Sequence, residues 1–167
     1  MAKMGKDQFK ASVDFLNERG PIWQERMGLS HIEIDHHYLD AASDMVLGAR
    51  PRPHPTLIRC GYGAPTGQVT YTAFVETRWA YMMADVYFML PSTIQWEQQR
   101  LDQVLVHEYS HIMAAPEQYL LELKIGEIAA ENQMTTSDLD ALATQYYERM
   151  EMATENVARA IWRAWES

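Results

Sequence analysis

In DQFKASVDFLNER, residues 7–19, apolar side chains recur at Phe9, Val13 and Leu16, and Phe15 widens the stripe. Steps of three and four residues predict an amphipathic helix, and Gly20 stands where a left-handed C-cap would end it. After Pro21, a shorter helical piece carrying Ile22, Trp23 and Met27 is expected to stop at Gly28. SHIEIDHHYL then sets Ile32 and Ile34 against Glu33 and Asp35, the two-residue alternation of a half-buried strand. From residue 42 to 67 the chain is broken by Pro51, Pro53, Pro55, Pro65, Gly48, Gly61, Gly63 and Gly67, which predicts a long loop.

Periodicity returns in QVTYTAFVET and WAYMMADVYFML, two β-branched and aromatic runs that lie close enough across Thr77 and Arg78 for an antiparallel hairpin. The second strand should stop at Pro91. Ser92 and Gln95 have capping-box spacing and predict a helix running to about Ala115, because the residue before Pro116 is biased away from helical geometry. EQYLLELKIGEIAAE reads as a further helix. The last is expected to begin after Ser137, with Asp140 at its third position and a stripe through Leu139, Leu142, Tyr146, Met150, Val157 and Ile161. Ala153, Val157, Ala160, Ile161 and Trp165 then lie nearly all round its final turns, as in a segment buried on two sides. The expected architecture is one α+β domain over residues 1–167: an N-terminal helix, a small and mostly antiparallel three-stranded sheet, and C-terminal helices.

Composition narrows the classes. With 167 residues and 47% hydrophobic content, the chain can bury one good core. A formal net charge of −9 argues against a nucleic-acid partner, since phosphate backbones need clustered Lys and Arg. Cys60 is the only cysteine, so no intrachain disulfide is possible and a reducing, cytoplasmic setting is expected. MAKMGKDQFKASVDF has no continuous apolar core of signal-peptide length, and no apolar run reaches membrane-spanning length, so no membrane association is expected. Trp23, Trp79, Trp162 and Trp165 could leave an apolar patch and support a weak dimer.

The chemistry concentrates in VLVHEYSHIMAAP, residues 104–116. On a helix His107 and His111 are four residues apart, so both rings project from one face and can meet one metal ion. Glu108 lies about 100° round the helix from His107, offset enough to act on a metal-activated water as general base without becoming a ligand. This is the His-Glu-x-x-His zincin signature. A catalytic zinc takes three protein ligands and keeps one position open. An extended form of the motif would put the third ligand at Glu117, although Ala114 stands where its turn uses Gly. A later helix offers Glu155 instead, with Glu151 one turn earlier. If the last helix is straight, Glu155 falls opposite its apolar stripe. His36 and His37, adjacent on a strand, point to opposite faces and cannot converge on one metal; His31 and His54 lie in or beside loops.

The order of helix, strand, loop, hairpin, motif helix and C-terminal helix resembles the small gluzincin-like metallopeptidase domains of phage and prokaryotic genomes. MGLSHIEID, ADVYFMLP, the motif itself and TENVARAIWRA carry the resemblance. It implies one Zn2+ per chain held by His107, His111 and Glu155, with Glu108 as base and a peptide or protein as substrate. The scissile peptide would lie along the strand ending at Leu90, and Tyr146, Tyr147, Tyr109 or Arg159 would donate to the developing oxyanion. Two other classes compete. A non-catalytic protein-binding module would close its zinc with a fourth protein ligand, and a metal hydrolase of non-peptide amides or esters would share the same residues.

Overall fold

The structure is a computed structural model that describes residues 2–39, 73–90 and 96–166. It is α+β, with three helices and a small three-stranded mixed sheet. In chain order these are α1 (Ala2–Arg26), β1 (Glu33–Leu39), β2 (Ala73–Arg78), β3 (Met83–Met89), α2 (Gln98–Glu131) and α3 (Thr136–Glu166). The expected loop over 42–67, Cys60, His54, and the capping box of Ser92 and Gln95 lie outside the described residues.

Helix α1 does not stop at Gly20. It runs through Gly20 and Pro21 to Arg26, because Leu16 and Trp23 on either side are both fully buried and their packing outweighs the lost amide of Pro21. The true cap is Gly28, at φ 71°: its N–H donates to the Glu25 carbonyl at 3.0 Å and the Leu29 N–H to Gln24 at 2.8 Å, a Schellman pair. Gly20 serves closeness instead. A Cβ there would stand 2.6 Å from His36 Cε1, and that ring is pinned on both sides, its Nε2 2.9 Å from Tyr109 Oη and its Nδ1 3.1 Å from Tyr38 Oη. Gly20→Ala should therefore lose more by overpacking, about 1–3 kcal/mol, than the roughly 1 kcal/mol that Ala gains in a helix. A urea midpoint at or above that of the parent protein would contradict this.

The sheet order is β1-β3-β2, with β1 parallel and β2 antiparallel to β3. The hairpin is as expected, though it turns through a 3-10 segment, Trp79–Tyr81, rather than at Thr77 and Arg78. One of the two pairings is parallel, so the sheet is mixed rather than mostly antiparallel. Strand β3 is central and hydrogen-bonded on both sides, so it has no edge along which a substrate could pair. Ala84, Val86 and Phe88 face the helices, and Val86 and Phe88 are fully buried. His36 and His37 do point to opposite faces: His36 to Tyr109, His37 to Asp85 at 2.8 Å.

Partly buried His36 makes the fold sensitive to acid. Burial, with His37 nearby, pushes its pKa down to about 4, against the ordinary 6.5. Between those values the unfolded chain binds the proton and the native chain does not, so stability is fully present above pH 6.5 and falls as pH drops to 4. The difference of about 2.5 units corresponds to a loss of about 3 kcal/mol. Urea titrations at pH 7 and pH 4.5 should show it, and His36→Phe should flatten the dependence; equal slopes for the two proteins would refute the assignment.

Helix α2 is the largest departure from expectation. It begins at Gln98, with Trp96 and Glu97 non-helical, and continues unbroken through Pro116 to Glu131. His107 and His111 thus sit near mid-helix and not in its last turns. Ile112 and Ala115 are buried just before Pro116, and after it Tyr146 Oη reaches the Gln118 carbonyl at 3.4 Å and Tyr147 Oη reaches Glu122 Oε1 at 2.9 Å. Packing against α3 on both sides of the proline carries the helix across it. Helix α3 is capped by Thr135 rather than Ser137: Thr135 Oγ1 accepts the Asp138 N–H at 3.2 Å. Its packed face runs through Met150, Thr154, Ala158 and Ile161, while Val157 is 43% and Trp165 53% exposed. The final turns are buried on one side only. Trp23 is fully buried, which removes it from any surface patch. Among the described residues, no helix is long and apolar enough to cross a membrane.

Candidate metal centre

Helices α2 and α3 lie side by side, and their i, i+4 pairs face each other: His107 and His111 on one, Glu151 and Glu155 on the other. The two histidine Nε2 atoms are 3.1 Å apart. Glu151 Oε1 is 3.2 Å from His111 Nε2, and its Oε2 is 3.5 Å from His107 Nε2. A tetrahedral zinc with arms of about 2.0–2.1 Å has ligand-to-ligand edges of about 3.3–3.4 Å, close to the spacing of the two Nε2 atoms, and each of those atoms faces its own oxygen of Glu151. The donor set, two imidazoles and a carboxylate, also suits zinc. Among the described residues this group has three members, with one ligand atom from each lying within 4.8 Å of the others.

Glu155 occupies a different edge. Its Oε2 is 2.9 Å from His107 Nδ1, the nitrogen turned away from His111, and its Oε1 accepts from Arg159 Nε at 2.6 Å. The structure therefore brings Glu151 to the Nε2 edges of the two histidines and Glu155 behind His107. Glu155 does face α2, contrary to the wheel that set it opposite the apolar stripe, because the most buried positions of this part of α3 are Thr154 and Ala158, on the side of the helix nearer Glu155. Glu117 lies apart, since α2 runs straight on where an extended motif would turn back.

Electrostatically the centre is poised for a cation. Glu108 is 5% exposed, and burial pushes its carboxyl up to about 7, with His111 and His107 pulling the other way. Hydrogen bonds from His107 and His111 hold Glu151 well below the usual carboxylate range. At His107, burial favours the neutral ring, but the hydrogen bond to Glu151 and the charges of Glu108, Glu151 and Glu155 outweigh it and raise its pKa. Glu151, held as a carboxylate between the two imidazoles, supplies the anionic oxygens that a cation would meet.

The four expected oxyanion donors are dispersed. Tyr109 is 1% exposed and turned into the core against His36. Tyr146 and Tyr147 are tied to Gln118 and Glu122, further along α2. Arg159 alone touches the centre, through Glu155. No protein-family model, curated protein or solved structure matches this chain.

Proposed function

We propose that this chain is a small zinc metallopeptidase of zincin-like architecture, with His107, His111 and Glu151 as ligands and Glu108 as general base. The observation that carries the reading is the meeting of the two Nε2 atoms, 3.1 Å apart, with the two oxygens of Glu151, beside buried Glu108, whose carboxyl is pushed up by burial. Zinc, when bound, supplies Lewis acidity toward a carbonyl and makes a water acidic enough to attack it near neutral pH.

Glu108 takes the proton of the attacking water and later returns it to the leaving amine, a task suited to a carboxyl with a pKa close to the working pH. Glu155 accepts the Nδ1 proton of His107, which leaves the Nε2 lone pair facing His111 and Glu151. Strand β2 is the edge of the sheet that packs against α2, so an extended substrate would pair there rather than along β3. Among the described residues the ligand group has three members, the number of protein ligands that a catalytic zinc takes.

The test is metal content. Protein purified without added metal or chelator should hold about one zinc per chain by elemental analysis, and His111→Ala should lower affinity by at least about a hundredfold. Parent protein that takes up no zinc, or a His111→Ala variant that binds it undiminished, would end the proposal.

A further inference from the structure

We propose that Arg159 is a positioning residue for the metal centre, acting through Glu155; this rests on the zinc reading above. An imidazole presents its Nε2 lone pair to a metal only when its proton sits on Nδ1, and a fixed acceptor at Nδ1 sets that tautomer. Glu155 Oε2 is such an acceptor, 2.9 Å from His107 Nδ1. Yet its side chain is 40% exposed and has three rotatable bonds, so nothing intrinsic keeps it there. The restraint comes from the next turn, where Arg159 Nε donates to Glu155 Oε1 at 2.6 Å. Glu151, Glu155 and Arg159 succeed one another at four-residue steps along α3, so one helix face presents a ligand, an orienting acceptor and the clamp on that acceptor. Without the clamp, Glu155 can swing off His107 or toward the space Glu151 occupies. Arg159 therefore decides which of two neighbouring carboxylates meets which edge of His107.

The experiment is a double-mutant cycle read by zinc affinity from chelator competition, joined to 15N NMR of the His107 ring in metal-free protein at alkaline pH. Glu155→Ala should weaken zinc about 10- to 100-fold, in the range of outer-shell partners. Arg159, 63% exposed, forms an i, i+4 pair with Glu155, so Arg159→Ala should weaken zinc about twofold and lower the Nδ1–H share of the His107 population. In the Glu155→Ala background, Arg159→Ala should change nothing. Arg159→Lys should recover only part of the loss, because an ammonium is a point charge without the planar fork. Equal losses in both backgrounds, or an unchanged tautomer, would overturn the relay. So would an Arg159→Ala variant with unaltered zinc affinity and reduced turnover, which would mark Arg159 as a direct oxyanion donor. If the parent protein takes up no zinc, the peptidase reading fails while the metal-free NMR still decides the relay.

Discussion

Glu108→Gln is expected to hold zinc as tightly as the parent protein and to lose about a thousandfold in peptidase turnover, the middle of the range that general acid–base groups contribute. The substitution keeps shape and removes only the ability to take up a proton. It should not cost stability, because burial already disfavours the charged form of Glu108, and a neutral amide avoids that penalty. Zinc content, melting temperature and turnover on an unstructured protein substrate, measured on one preparation, separate loss of chemistry from loss of fold. Full activity in a metal-loaded Glu108→Gln variant would remove Glu108 from the mechanism; loss of zinc along with activity would make it part of the metal site instead.

The largest stability effect is expected at Asp102, away from the metal. This α2 carboxylate is 5% exposed and accepts from Trp23 Nε1 at 2.7 Å and from Arg19 Nε at 2.8 Å, with Arg19 Nη2 on its second oxygen. It is the polar tie between α1 and α2, under the fully buried Trp23 ring. Asp102→Ala strands the indole N–H and takes the bidentate acceptor from a partly buried guanidinium. Breaking a buried pair from one side costs about 3–5 kcal/mol. At about 2–4 °C per kcal/mol for a domain of this size, the melting temperature should fall by about 6–20 °C. Asp102→Asn, which keeps one acceptor, should cost less, about 1–3 kcal/mol. A melting temperature for Asp102→Ala within about 2 °C of the parent would show that this network carries little of the fold.

Features governed by short-range spacing were legible in the sequence. The Ile32/Ile34 alternation marks β1, the aromatic runs mark the hairpin, and the four-residue step of His107 and His111 puts both rings on one face whatever the rest of the chain does. Features that depend on competition between local and tertiary terms were not. Gly20, Pro21 and Pro116 are helix breakers by their own chemistry, and here the packing on both sides of each outweighs them. Glu151 and Glu155 are chemically equivalent in the sequence. Only the phase of α3 against α2 separates them, and the positions buried there, Thr154 and Ala158, carry too little apolar surface for a stripe of large residues to reveal it. Strand order is hidden for a related reason: β1 and β3 pair in parallel although β2 comes between them in the chain, and no local pattern announces that β3 lies between its neighbours. Asp102, Arg19 and Trp23 come from distant stretches whose individual residues carry no signal of their meeting.

The arrangement of the centre across two helices has a mechanical consequence. His107 and His111 lie before Pro116, Glu151 lies on the returning helix, and residues 112–150 form the arm between them. An ion held by all three would close that arm into a ring, sparing the folded state part of the entropy of keeping its ends together. Chelation would then open a clasp, and the arm, with Leu120 at 64% and Leu123 at 50% exposure, would be the first segment that an added protease could cut. A chain closed this way would resist digestion only while an ion held the two helices together.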